Sequence, residues 1–275
     1  MVWCRLESGV IQVSDPTIGI IGTGDFAAYL VSALRKGGHS GRIILSPYSQ
    51  TRAQSLATAG NCEISTDDQA LTDQADWILL SVRPEQLVAV LPKLRLRDTQ
   101  TLISAVAGVT IASLRSSLRI NSPIVRIMPS SYIGVIDGGL FPLFPSSGDI
   151  NRVFERAGKV LVLDREDDLD LAMVGACLAG FTYSFASRLE RWFVDHGMEA
   201  SKARDMVAGN LLGAAGNALA NPGISLDKIS DRIATPGTYT RLGLEYLRSR
   251  DSFETWAEAL SVIDLDLKSK TPFKA

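Results

Sequence analysis

Short uninterrupted apolar runs alternate with helix-like spacing through the first half of the chain. Thr17–Ile21, Arg42–Ser46, Trp77–Val82, Thr101–Ala105 and Ile124–Met128 read as buried strands. Phe26, Leu30 and Leu34 recur at helical spacing between the first two runs, which predicts a helix over Asp25–Arg35. Arg52–Ala59 and Pro84–Leu94 are further helices, and Gly138–Phe144 and Lys159–Leu163 are additional strands at the far edge. Strands alternating with helices imply a mostly parallel sheet covered on both faces. The pattern changes at Asp164, where the charged break Arg165–Asp168 follows. Beyond it only helical spacing is found, over Leu171–His196, Ser201–Ala220, Thr240–Arg248 and Phe253–Lys268. The expectation is an α/β domain over 17–164 and an all-α domain over 165–275. Residues 1–16 form an extension, either an added edge strand or a translation start placed too early.

Composition narrows the function classes. The chain has 275 residues, 46% of them hydrophobic and 21% charged, in the range of a folded soluble protein. A net charge of −2 gives no basic surface for nucleic acid. The N-terminal stretch carries Arg5 and Glu7 and lacks the apolar centre of a secretory signal. Leu171–Ser187 is apolar but interrupted by Gly175, Gly180, Thr182 and Ser184, which reads as a buried helix rather than a membrane span. A cytoplasmic protein without membrane or nucleic-acid partners is expected. Three isolated cysteines and two histidines, His39 and His196, offer no metal-ligand spacing, so no metal is expected.

The sharpest motif is Gly22-Thr23-Gly24-Asp25-Phe26-Ala27, which fits G-x-G-x-x-A directly after a strand and at the start of a helix. Gly22 permits the tight turn, Gly24 admits a pyrophosphate to the backbone, and Ala27 allows close helix–strand packing. The phosphates would rest on the helix amino terminus. A nicotinamide dinucleotide lacking a 2′-phosphate usually meets an Asp or Glu at the end of the second strand. Here that stretch, Leu45–Arg52, has no acid; it offers Ser46, Ser49, Thr51 and Arg52. Hydroxyls with a guanidinium suit a 2′-phosphate, so NADP(H) is expected over NAD(H).

Four further motifs follow in a fixed order: SVRPEQ at 81–86, SAVAGV at 104–109, VRIMP at 125–129 and PGTYTRLGL at 236–244. With the glycine fingerprint, this series resembles the pyrroline-5-carboxylate reductase family over about Thr17–Leu267. That family carries VKPQ, AAGV, RxMPN and PGGTTIAGL at matching places and reduces a cyclic imine acid to proline with NAD(P)H. The resemblance implies a Rossmann-like N-terminal α/β domain and an all-α C-terminal dimerisation domain, and hence a homodimer or larger homo-oligomer. It places Val82, Arg83 and Pro84 beside the nicotinamide ribose and phosphates. It places Ala105, Ala107 and Gly108 at the nicotinamide, and Met128, Pro129 and Ser130 at the next strand end. Core packing is an equal reading for Met128.

The departures from the family pattern cluster. PGGTT stands as Pro236-Gly237-Thr238-Tyr239-Thr240, the Asn after Met-Pro is Ser130, and the proline two residues on is Tyr132. The family's GSGP aligns with Leu178-Ala179-Gly180-Phe181. In the family the PGGTT turn holds the substrate carboxylate. If the second glycine needs a positive φ, Thr238 forces another backbone shape there. The substrate residues implied are Ser130, Thr238 and Thr240. The catalytic hydroxyls implied are Tyr239 and Thr240, with Tyr239 as proton donor or as mere filler. A phenol is protonated at neutral pH, as a donor must be.

Four functions remain open at this level. One is an NADPH-dependent reductase of a small cyclic imine with an altered pocket. The second is authentic pyrroline-5-carboxylate reduction in proline biosynthesis, and the third a non-catalytic NADPH-binding module. The fourth is a hydroxy-acid dehydrogenase or a deazaflavin-linked NADP reductase. Gly22–Phe26 also looks like the fingerprint of deazaflavin-linked enzymes. No lysine lies between Asp164 and Gly197, which counts against the hydroxy-acid dehydrogenases.

Overall fold

The computed structural model describes residues 14–269, and the expectations for residues 1–13 lie outside them. The chain divides into two compact units, the first running to Ala176 and the second covering Cys177–Ser269.

The first unit is built on one eight-stranded sheet. Its strands are β1 (Ile18–Ile21), β2 (Ile43–Leu45), β3 (Glu63–Ile64), β4 (Trp77–Leu80), β5 (Thr101–Ser104), β6 (Ile124–Ile127), β7 (Leu140–Phe144) and β8 (Lys159–Val162). The order across the sheet is β3-β2-β1-β4-β5-β6-β7-β8. All neighbouring pairs run parallel except β6–β7, so the seven expected strands are present, with the short β3 added beyond β2. The central strands read as continuous apolar runs because both faces are covered: every residue of β1, β2, β4 and β6 is buried. Helices α1 (Asp25–Lys36), α2 (Gln50–Gly60), α3 (Asp68–Gln74), α4 (Leu87–Val90), α5 (Ile111–Leu118), α6 (Gly148–Ala157) and α7 (Asp168–Ala176) cover them. One cluster gathers Leu30, Leu34, Phe141 and Phe154 on one face of the sheet, and a second gathers Leu71, Leu87, Leu91 and Leu114. Phe141 and Phe154 stack with ring centres 5.2 Å apart.

Beyond the sequence boundary at Asp164, the first unit continues through α7. The Glu166 carboxylate accepts the Ile111 N–H at 2.7 Å and the Arg126 guanidinium at 2.9 Å, and Asp170 lies 3.6 Å from the same guanidinium. Arg126 is 2% exposed on β6, and a buried charge needs such partners. These bonds and the packing of α7 on β7 fix α7 to the sheet within the first unit. His39, after α1, is also buried, and loss of hydration pushes its imidazole below the ordinary histidine range.

The second unit is all helical: α8 (Leu178–Asp195), α9 (Ala200–Ala220), α10 (Leu226–Ile233), α11 (Tyr239–Arg248) and α12 (Ser252–Ser269). The helix expected over 171–196 is two helices, α7 and α8, parting at Cys177. Trp256 of α12 receives Phe185 and Phe181 of α8 edge-on, with centroids 5.6 and 6.2 Å away. Burial is otherwise sparse. None of α8, α10, α11 and α12 contains a buried residue, and α9 buries only Ala203 and Val207. Leu212 and Leu219 are each 74% exposed. By length and composition alone, Asp168–Asp195 is also apolar enough to cross a membrane.

Candidate functional site

β2 and β4 lie on opposite sides of β1, and the chain crosses over between them, so a crevice opens at the carboxyl ends of these strands. A cavity of about 570 Å³ occupies it. Its floor is the loop from Ile21 to Phe26; one wall comes from the end of β2, the other from the end of β4 and Ala105 and Ala107 after β5.

The loop's geometry explains its two glycines differently. Gly22 has φ +101, and a Cβ there would stand 2.8 Å from the Ser81 carbonyl oxygen. The protein itself therefore requires this glycine. Both walls grip it: the Gly22 N–H donates to Ser46 Oγ at 3.3 Å, and Ser81 Oγ donates to the Gly22 carbonyl at 2.7 Å. Gly24 has φ −81 and no strain, and a Cβ there would find only the Arg52 guanidinium, 4.0 Å away. Nothing within the chain needs Gly24 to be glycine. The open space above it is what a ligand approaching the backbone needs. Gly24 is the N-cap of α1 and supplies no side-chain cap, so the first-turn N–H groups face this space uncapped.

On the β2 wall, Ser49 is the N-cap of α2 but its hydroxyl makes no capping bond. Arg52 has no carboxylate partner among the described residues, and no acid stands in the first turn of α2. On the β4 wall, Gln86 turns its side-chain oxygen back to accept the Arg83 N–H at 2.9 Å, which fixes the turn carrying Val82, Arg83 and Pro84. The cavity thus brings together Gly22, Thr23, Gly24, Asp25, Phe26, Ser46, Ser49, Arg52, Val82, Arg83, Pro84 and Ala105. Ser46 is wholly buried, and its hydroxyl serves the loop. Ala27 is buried on the inner face of α1 rather than on the wall, in the packing role its small size predicts. Gly108 is not on the wall; it has φ +67 in the turn before α5. Ser81 and Gln86, the two ends of the SVRPEQ motif, also line the cavity, as do Tyr48 and Val90, for which the sequence carries no expectation of a site role.

The residues assigned to substrate stand in both units. Ser130, in the first, is 6% exposed, and its N–H bonds the Leu140 carbonyl. Met128 is buried at 9% exposure. In the second, Thr238 is the N-cap of α11: its Oγ1 accepts the Arg241 N–H at 3.3 Å and donates to the Thr235 carbonyl at 2.8 Å. Its φ is −88, and the positive φ of the turn, +84, falls on Gly237. The forced change of backbone shape considered for Thr238 is therefore absent, because the left-handed position kept its glycine. Tyr239 is 94% exposed on its own chain, and Thr240 is also exposed. Arg241 pairs with Glu245 at 2.6 Å, which holds its guanidinium above the usual value.

A Rossmann-like sheet with a glycine-loop crevice at its switch point, followed by a separate all-helical unit, defines a two-unit α/β-plus-α architecture. Comparison with known proteins narrows the class. Residues 17–108 match the protein-family model "NADP oxidoreductase coenzyme F420-dependent", and residues 166–263 match "Pyrroline-5-carboxylate reductase dimerisation". The pyrroline-5-carboxylate reductase of Pasteurella multocida is 27% identical over 247 residues, covering 85% of this chain and 90% of its own. The 1-pyrroline-5-carboxylate reductase structure from Streptococcus pyogenes superposes with a TM-score of 0.83 at 24% identity, covering 94% of this chain and all of that one. The Plasmodium falciparum pyrroline carboxylate reductase, solved with NADP bound, gives 0.79 at 20% identity, covering 93% and 98%. The chain is thus similar to pyrroline-5-carboxylate reductases over most of its length, and residues 166–263 match that family's dimerisation model.

Proposed function

We propose that this chain is an NADPH-dependent reductase of a cyclic imine. The observation that carries the cofactor reading is the cradle at Gly24: an unstrained glycine at an uncapped helix amino terminus, facing space bordered only by Arg52, which has no carboxylate partner among the described residues. The bound cofactor supplies a hydride to the C=N carbon. The chain supplies the seat for its phosphates along α1, a 2′-phosphate contact from Ser49 and Arg52, and contacts beside the nicotinamide from Val82–Pro84, Ala105 and the turn at Gly108. Arg52→Ala should weaken NADPH about tenfold to a hundredfold, the range for a lost charge-assisted bond, and leave NADH nearly unchanged. Equal affinities of the unaltered protein for the two cofactors, measured by fluorescence titration, would contradict the 2′-phosphate assignment.

The reading gives substrate contacts to Ser130, Thr238 and Thr240, with the Tyr239 hydroxyl as proton donor to the imine nitrogen. It favours a substrate other than pyrroline-5-carboxylate. The Thr238 side chain occupies the turn where the family has glycine, and its hydroxyl proton is committed to Thr235. The relatives' common name supports the second reading, reduction of pyrroline-5-carboxylate itself. NADPH oxidation with pyrroline-5-carboxylate, piperideine carboxylates and uncharged cyclic imines separates the two. The altered pocket predicts pyrroline-5-carboxylate at least about tenfold behind the best imine, equivalent to ~1.4 kcal/mol. Tyr239→Phe should cost about a hundredfold in kcat, as loss of a general acid does. Pyrroline-5-carboxylate as the best substrate establishes the second reading, and an unchanged rate in Tyr239→Phe removes the donor role.

A further inference from the structure

We propose that Tyr48 is the stacking platform for the adenine ring, an inference that rests on the reading of the crevice as an adenine-dinucleotide site. Tyr48 lines the cavity yet is 70% exposed, so its ring buries little against its own chain. Its hydroxyl has no hydrogen-bond partner among the described residues, so no polar contact explains its placement either.

Its backbone, by contrast, is held on both sides. Ser46, two residues before, is wholly buried and bonded to the Gly22 N–H. Pro47 follows with a fixed φ, and Ser49 is already the N-cap residue of α2, its carbonyl accepting the Ala53 N–H at 2.7 Å. A large amphipathic ring is thus held beside the cavity on a short connection that cannot swing far. The phosphate cradle at Gly24 lies on the cavity floor, and Tyr48 lies on the β2 wall with Arg52. Further along the β4 wall stand Gln86 and the buried, apolar Val90. A flat base with apolar faces, joined through its ribose to groups held by Ser49 and Arg52, fits between these walls. A phenol ring is a sequence-tolerant π-surface for such a base.

The test titrates NADPH, adenosine 2′,5′-bisphosphate and reduced nicotinamide mononucleotide into the full-length protein, Tyr48→Phe and Tyr48→Ala by calorimetry. Tyr48→Ala should weaken NADPH and the bisphosphate by the same factor, about five- to a hundredfold. The mononucleotide, which has no adenine, should be unaffected. Tyr48→Phe should stay within about twofold, since the ring rather than the hydroxyl does the binding. Unchanged bisphosphate binding in Tyr48→Ala, or an equal loss in Tyr48→Phe, would overturn the platform while leaving the dinucleotide reading intact. Failure of the unaltered protein to bind the bisphosphate would remove the dinucleotide reading, and the platform with it.

Discussion

Gly22→Ala should lower both the thermal stability of the protein and its affinity for NADPH, whereas Gly24→Ala should lower only the affinity. At Gly22 the added methyl group would stand 2.8 Å from the Ser81 carbonyl oxygen and 2.9 Å from Val82 Cγ1, on a backbone with φ +101. That conformation alone costs a side-chain-bearing residue about 1–3 kcal/mol, before any clash. The neighbours cannot easily yield, because Ser81 is on the chain directly after β4 and its hydroxyl holds the Gly22 carbonyl. The strain can be relieved by displacing the loop, which misplaces the phosphate cradle, or by loosening β1 from β4. The expected fall in Tm is about 3–10 °C, from the usual few degrees per kcal/mol. At Gly24 the backbone is relaxed and the space is open, so alanine should fold with an unchanged Tm. Its methyl group would still stand where phosphate must approach, and NADPH affinity should drop about tenfold or more, ~1.4 kcal/mol. Differential scanning fluorimetry with and without NADPH reads both effects. Full NADPH binding by Gly24→Ala would refute the cradle; an unchanged Tm in Gly22→Ala would refute the account of the loop.

The contrast between these glycines marks how far sequence reaches. The spacing of the fingerprint located both, and the apolar runs of β1, β2, β4, β5 and β6 were legible because each is buried on both faces. β3 has two exposed residues and no apolar signal of its own; the sheet defines it through its pairing with β2. The helix read over Pro84–Leu94 is the short α4 between two 3₁₀ turns, with Pro84 and Pro92 each opening one of them. α5 escaped notice because Ser113, Ser116 and Ser117 dilute its pattern and only Leu114 is buried. α6 does carry a signal, Ile150, Val153 and Phe154 on one face, where no element is expected above. Tyr48 stands in the acid-free stretch Leu45–Arg52, where a lone aromatic carries no signal until the folded loop sets it against the cavity. Thr238 shows the opposite limit. Its substitution for glycine is plain in the sequence, but its φ and the two hydrogen bonds that make it a helix cap are properties of the folded turn.

The second unit should not persist as a folded monomer. A helical unit that leaves α8, α10, α11 and α12 without one buried residue lacks a core of its own. Its apolar side chains must be covered by something else. Tyr183 at 66%, Leu212 and Leu219 at 74% and Leu265 at 66% exposure are spread over three helices, as a broad interface requires. The match of 166–263 to a dimerisation model points to a second copy of the chain as that cover. A membrane is the competing cover for Asp168–Asp195, but it would leave α9 and α12 exposed, and Arg188, Glu190 and Arg191 lie within the same helix. Unfolding coupled to dissociation depends on concentration, and each tenfold dilution removes about 1.4 kcal/mol of apparent stability. The helical circular dichroism signal should therefore melt several degrees earlier after hundredfold dilution. Leu212→Glu with Leu219→Glu should shift the light-scattering mass toward a monomer and reduce helical content, while the Rossmann-like unit keeps its capacity for NADPH. A monomer mass for the unaltered protein at micromolar concentration, with melting independent of dilution, would exclude a second copy as the cover. Release of the unaltered protein from vesicles only by detergent would instead assign that surface to lipid.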